Sequence, residues 1–428
     1  MAKKKKTVKK STAKKTTRRA TAPVKKKKKT TRQPVKATKK KTVKKKSSAR
    51  PAVKKPTAKP APVKRRKTPV TPTELPEDNV EALKMIDVQM TQLLQKRASL
   101  VKDLVNSGDI PTARAFTQTR TDQMAKLRSK ARGPLGEGEI ESVFREVFSA
   151  CRLQIARQRV AYLGPEYTYT HLAAIRCFGQ SVQFVPVGGI RAVFEEVNRG
   201  HCDFGVVPIE NSTDGRITDT LDMFTRLPVR ICGQVETRIS HSLLGRCTRE
   251  EIREVYSKPQ ALSQCRNWLA RHLPAARLIE VTSTTTAAQL ARDKHGAAAV
   301  ASRQAAGHYE LDILAEGIED NPFNSTRFAI IGTTEVAATG NDRTAILFQI
   351  EHEPGALVDA MGIFKRNSLN MTWIESFPDA AAPRTYLFFV ELEGHKTDKN
   401  VAAALTQLGR KAVRLELLGS FPAIDETI

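Results

Sequence analysis

The chain has 428 residues, six cysteines and a formal net charge of +28 at pH 7, a length that divides into two to four domains rather than one core. Residues 1–73 carry 25 Lys and 6 Arg and no acidic residue, which leaves −3 for residues 74–428. A polyanion-binding character is therefore confined to one end, and the remainder reads as an ordinary soluble protein. The cysteines lie at least 15 residues apart, with no CxxC pair and no histidine at ligand spacing, so no metal is expected. There is no apolar h-region at the N-terminus and no run of the roughly 18 apolar residues that a membrane span needs. A reduced, cytoplasmic protein is expected.

Residues 1–73 consist mainly of Lys, Thr, Ala, Pro and Val, with no aromatic residue, Leu or Ile. Such a segment buries too little apolar surface to offset its ordering entropy, so disorder is expected. Its composition resembles the tails of linker histones. Counterion release permits contact with a polyanion, without sequence preference because no aromatic ring is available for stacking.

Residues 74–158 read as three helices. From Val80 to Val105 the apolar residues Leu83, Ile86, Met90, Leu93, Leu94, Leu100, Val101 and Leu104 recur with helical period, and Ser107-Gly108 and Pro111 stop the run. A second helix is expected from Thr112 to Arg132 and a third from Glu137 to about Gln158. With the words MIDVQMTQLLQKR and VFREVFSACR, this segment resembles the all-helical chorismate mutase domain. The resemblance places anion-binding arginines at Arg97 and Arg120. The groups that would act on the breaking ether bond fall on Gly108 and Ile155, and Val80 and Thr121 replace two further polar positions. A helical scaffold with little or no mutase activity is the expectation, the alternative being an active mutase domain that takes chorismate in a fully bifunctional chain.

From Arg159 onward strands and helices alternate, which argues an α/β architecture, two lobes about a cleft. Gly164-Pro165 breaks the first strand, and Thr168 or Thr170 caps the helix beginning near His171. The continuously apolar strand FGVVPI delivers Glu210, Asn211, Ser212 and Thr213 at its carboxyl end, where ligands bind in open sheets. RISHSLLG is read as a strand carrying His241. A further strand leads through Ser257 into a helix with Gln264 on its first turns. The triplet Thr326-Arg327-Phe328 opens the last strand, setting a hydroxyl, a guanidinium and an aromatic ring side by side.

Four ordered words, YLGPEYTYTHLAA, GVVPIENSTDG, VYSKPQALSQC and NSTRFAIIG, resemble prephenate dehydratase over residues 159–335. The resemblance implies two α/β lobes like those of periplasmic binding proteins, and conversion of prephenate to phenylpyruvate with loss of CO2 and water, without cofactor. It implies Thr326, Glu210, Asn211, Ser257 and Gln264 as the catalytic set, and Thr168, Thr170, Ser212, His241, Arg327 and Phe328 as substrate-binding neighbours. Thr326 is read as a hydrogen-bond donor or one link in a relay, since a Thr hydroxyl is a poor acid. Two departures stand out: Tyr167 where the family usually has Gly, and Lys258 where it often has His.

Residues 342–423 read as β-α-β-β-α-β, a ferredoxin-like unit. With Gly355, Ala356, Leu357 and Val358 (GALV) and Glu375, Ser376 and Pro378 (ESFP), it resembles the ACT domain. That resemblance implies regulation by phenylalanine, although Phe377 replaces the usual Arg. The expected whole is a multidomain homo-oligomer: disordered tail (1–73), all-α mutase-like domain (74–158), α/β dehydratase domain (159–335) and α+β ACT domain (342–423).

Overall fold

The computed structural model describes residues 78–110, 112, 122–213, 215–379 and 385–423. The expected disorder of residues 1–73, and Arg120, lie outside the described residues. Among the described residues no helix is long and apolar enough to cross a membrane.

Helix α1 spans Asn79–Asn106 and starts where the Asp78 carboxylate accepts from Val80 N. It stops at Ser107, with Gly108 beyond it at φ 83°. A left-handed residue costs glycine little, so Gly108 suits that stop. Helix α2 is described over Asp122–Arg128 and α3 over Glu137–Arg152. The expected extension of α3 to Gln158 does not occur. Leu153, Gln154 and Ile155 donate to carbonyls three residues back, tightening the last turn before the chain extends into the first strand. Arg152 is pinned there, donating to the Phe178 carbonyl and to Gln158. Burial pushes its guanidinium down to about 10.

The C-terminal third of α1 is covered: Val101 packs on Cys151, flanked by Ala98, Leu104, Val147 and Ile155. Leu83, Leu93 and Leu100 are 61, 65 and 57% exposed, so these positions of its apolar stripe are left uncovered by the described residues.

Lobe 1 is a mixed sheet in the order β2-β1-β3-β11-β5, where β1 is Arg159–Leu163, β2 Gln183–Val187, β3 Phe204–Asn211, β5 Arg230–Arg238 and β11 Ser325–Gly332. The short β4 (Gly215–Arg216) pairs with β3. One face is covered by α4 (Tyr169–Phe178), through Val160, Tyr162, Ala173, Ala174, Val206 and Phe328. The other face holds α5 (Ile190–Asn198) and α6 (Thr218–Arg226), through Val193, Phe194, Leu221 and Phe224.

Lobe 2 is a second mixed sheet, β10-β6-β9-β7-β8, with β6 Ser242–Gly245, β7 Glu254–Ser257, β8 Arg277–Glu280, β9 Ala297–Ala301 and β10 Asp312–Ala315. Helices α7 (Pro259–Gln264) and α8 (Arg266–His272) pack on one face, and α9 (Thr284–Asp293) and α10 (Arg303–Tyr309) on the other. The chain passes between lobes twice, at residues 239–241 and 316–324. RISHSLLG is therefore not one strand. His241 lies in the first crossover, which gives β5 and β6 to different sheets.

The C-terminal sheet has the order β13-β14-β12-β15, with β12 Asp342–Gln349, β13 Met371–Pro378, β14 Tyr386–Glu393 and β15 Arg414–Pro422. Helices α11 (Ala356–Arg366) and α12 (Lys399–Gly409) cover one face. The other face shares one core with lobe 1: Leu347, Phe377, Phe389, Leu418 and Phe421 join Val207, Ile209, Ile231 and Ile331. The backbones approach so closely that a Cβ on Gly419 would lie 2.2 Å from the Ile231 carbonyl oxygen.

Candidate active site

The site is set by a one-residue irregularity between β3 and β11. Phe328 faces Pro208, but Arg327 faces Glu210 and Thr326 faces Asn211, so Ile209 has no opposite number. Beyond this bulge the alternation of side chains on β3 is inverted. Asn211 joins Thr326 on the face that carries α4, and Glu210 joins Arg327 on the face toward the C-terminal sheet.

Hydrogen bonds fix the Asn211 amide. Its Oδ1 accepts from Thr213 N (3.0 Å), so Nδ2 is the donor toward Ser325 O (3.1 Å), Asn324 Oδ1 (3.1 Å) and Thr326 Oγ1 (2.8 Å). An amide NH2 cannot accept, so the Thr326 hydroxyl must. Its proton is then directed away from Asn211 and free to be donated elsewhere. Asn324 Oδ1 also accepts from the Ser212 and Thr213 hydroxyls, and Ser212 Oγ accepts from Ser325 N (2.9 Å). Asn324, 1% exposed, is thus a hub that sequence reasoning missed, although it opens the NSTRF word. Thr237, opposite Thr326 on β5, was also missed; its buried hydroxyl has no partner. No local motif marks Thr237, because only the β5–β11 register brings it there.

Thr168 is the N-cap of α4, its hydroxyl accepting from His171 N, while Thr170 is 5% exposed inside the helix. The Tyr169 hydroxyl donates to Ser240 O in the crossover. His241 Nε2 meets Gln264 Oε1 at 3.0 Å, its backbone N–H donates to Glu319, and its buried Nδ1 is without a partner. Burial holds His241 below the ordinary imidazole range, so it is neutral near pH 7. Gln264 sits on the last turn of α7 rather than the first, since the helix breaks at Cys265. Ser257 is fully buried and donates to Val300 O (2.6 Å); its proton is committed to the lobe 2 sheet.

Three expected site residues point elsewhere. Glu210 accepts from Arg327 Nη1 (2.8 Å), and Arg327 Nη2 donates to both oxygens of Glu391 on β14 (2.7 and 2.9 Å) and to Gln234. The guanidinium also lies 5.0 Å over the Trp373 ring. Glu210 and Arg327 therefore serve the junction with the C-terminal sheet, not the Thr326 face. Phe328 is 2% exposed and packs in the lobe 1 core, so it presents no surface to a ligand.

On the C-terminal unit, Gly355 (φ 88°) precedes α11, with Leu357 and Val358 exposed. On β13, Ser376 and Pro378 face outward. Phe377 is buried between the sheets, and Glu375 accepts from Arg216 of lobe 1 (2.8 Å). In the helical segment the Arg97 guanidinium lies over the Phe148 ring at 4.7 Å, and Ile155 packs in the apolar cluster. Among the described residues no group of three His, Cys, Asp or Glu gathers into a metal site.

Fold and site define a two-lobed α/β protein that presents hydroxyl and amide groups where the chain crosses between lobes. Residues 160–336 match the prephenate dehydratase family. A bifunctional chorismate mutase/prephenate dehydratase of Pseudomonas aeruginosa is 38% identical over 360 residues, covering 81% of this chain and 98% of that relative. One from Aquifex aeolicus is 39% identical over 343 residues, covering 79 and 95%. A solved prephenate dehydratase of Arthrobacter aurescens, in complex with L-Phe, superposes with TM-score 0.58 and 31% identity, covering 62% of this chain and 90% of that one. The chain belongs to the bifunctional chorismate mutase/prephenate dehydratase family.

Proposed function

We propose that the chain catalyses the decarboxylating dehydration of prephenate to phenylpyruvate, with Thr326 as the donor to the departing hydroxyl. The observation that carries this assignment is the Asn211 amide, whose orientation leaves the Thr326 proton free. The bond to the ring carboxylate breaks and CO2 leaves. Its electron pair enters the ring, the C–O bond opposite breaks, and the departing oxygen takes a proton to leave as water. Aromatisation supplies the driving force. A hydrogen bond that strengthens as charge develops on the leaving oxygen acts mainly on the transition state. Asn211 holds the hydroxyl in place, and Asn324 in turn holds the Asn211 amide. Thr168, at the start of α4, stands beside a helix N-terminus that favours carboxylates, and His241 and Gln264 close the site from the crossover and lobe 2. Purified protein offered prephenate should form phenylpyruvate, with Thr326→Val nearly inactive; turnover retained by that variant would remove Thr326 from the chemistry.

The helical domain, 74–158, is the better scaffold than mutase. Arg97 stacks on Phe148, and neither Gly108 nor Ile155 can donate to an ether oxygen. Chorismate offered alone should turn over close to the uncatalysed rate. Phenylalanine is the proposed regulator at the ACT-like unit, 342–423. The exposed GALV start of α11 and the outward Ser376 and Pro378 support this reading, as does the L-Phe complex of the Arthrobacter aurescens relative. Calorimetry with phenylalanine tests it. The uncovered stripe of α1 favours pairing with a second copy, and the lysine-rich residues 1–73 favour non-specific polyanion contact.

A further inference from the structure

Tyr167 has φ 62°, a left-handed conformation that a residue with a side chain adopts only when its surroundings enforce it. Four contacts do so. Its N–H donates to His171 Nδ1 (2.9 Å), and its carbonyl accepts from Ser302 Oγ (3.3 Å). Its ring stacks on His308 at 4.2 Å and 28°, and meets the His171 ring edge-on at 5.6 Å. His171 belongs to lobe 1. Ser302 and His308 belong to lobe 2, at the start and on the last turn of α10. One residue of lobe 1 thus grips lobe 2 through both its backbone and its ring. It directly precedes Thr168, which caps α4. Burial holds His171 below the ordinary imidazole range, which keeps Nδ1 an acceptor for the Tyr167 N–H.

We propose that Tyr167 is a positioning residue: its stack on His308 clasps the two lobes together and sets how readily the halves of the site meet around the substrate. The lobes are joined covalently only by the crossovers at 239–241 and 316–324, so contacts away from those crossovers decide how much of the protein is closed. A clasp that raises the closed fraction lowers the substrate concentration needed to fill the site. It does little to the step after closure, because Tyr167 makes no contact with Thr326 or Asn211. This inference rests on the dehydratase reading, which phenylpyruvate formation by the unaltered chain tests on its own.

The test is steady-state dehydratase kinetics on the full chain with Tyr167→Gly, Tyr167→Phe, His308→Ala and the Tyr167→Gly/His308→Ala pair. Glycine accepts φ 62° without strain, so Tyr167→Gly removes the ring while keeping the loop. Loss of the clasp should raise KM for prephenate roughly 10-fold in Tyr167→Gly and in His308→Ala, with kcat within about 3-fold. The double variant should be no worse than either single, since both remove one contact. Tyr167→Phe keeps the stack and should behave as the unaltered protein. An unchanged KM in Tyr167→Gly or His308→Ala, a double variant equal to the product of the singles, or a fall in kcat with KM unchanged would overturn the proposal.

Discussion

The two faces of the β3–β11 pair are built from adjacent residues and do opposite work. On one, Asn211 and Thr326 form a neutral network in which each partner is oriented by hydrogen bonds and one hydroxyl proton is left over. On the other, Glu210 and Arg327 join the fully buried Glu391 in an ion-pair network that bolts lobe 1 to the C-terminal sheet. The contrast teaches that the strand carrying the proposed donor is held in register from behind by charge while its Thr326 face stays uncharged. A cation beside Thr326 would compete for the hydroxyl; placed behind the sheet, it fixes the strand instead.

The largest effect should come from breaking the charged face. Arg327→Met leaves Glu391 in the interior without its main partner, and removing one member of a buried pair typically costs about 3–5 kcal/mol. Urea unfolding should report that loss, while kcat of the folded protein falls much less than for a lesion at Thr326. A loss below about 1 kcal/mol, the range of exposed pairs, would mean the network is only decorative.

Breaking the neutral face should do the reverse. Thr326→Val removes one directed donor, an interaction whose loss typically costs about 10²–10³ in kcat. Stability should change little, because Asn211 keeps the Ser325 carbonyl and Asn324 as acceptors. A Thr326→Val variant that is as unstable as Arg327→Met would erase the distinction between the faces.

A smaller effect sharpens the role of the back of the sheet. Gly419→Ala places a methyl 2.2 Å from the Ile231 carbonyl oxygen, and overpacking of this kind costs about 1–3 kcal/mol. The C-terminal sheet must shift from lobe 1, so any phenylalanine response should weaken together with the melting temperature. An unchanged melting temperature would show that the sheets are not in the close contact described.

The smallest effect is one of pH. The folded state holds His241 below the ordinary imidazole range, so below that range the unfolded chain binds a proton that the folded chain does not. Stability contributed in this way is fully present above the ordinary imidazole value, falls as pH drops from there to the folded-state value, and is flat below that. His241→Gln should reduce that slope between about pH 7 and pH 5 in denaturant titrations. His171, shifted the same way by burial, leaves a residual slope; no change at all would show that His241 titrates alike in the folded and unfolded chain.

Much was legible in the chain. Helical period gave α1 to within a residue at each end. The alternation from Arg159 gave two α/β lobes, and the run from Arg343 gave the β-α-β-β-α-β order. Thr168 and Thr170 both fitted as caps of α4, and the hydrogen bond to His171 selects Thr168. Asn211 and Thr326 were implied as site residues by the resemblance of their words to the family, and the structure brings the two side chains together. What the sequence left undecided is which way side chains face. Glu210, Asn211, Arg327 and Phe328 were all read as site residues, yet two face the C-terminal sheet and one is core. Side chains on a strand alternate with period two, so a single unpaired residue, Ile209, inverts every assignment beyond it. That bulge is defined by pairing with a strand 115 residues away, and no local pattern records it. The left-handed Tyr167 and the crossover position of His241 were likewise set by the meeting of two lobes, which the tertiary structure alone decides.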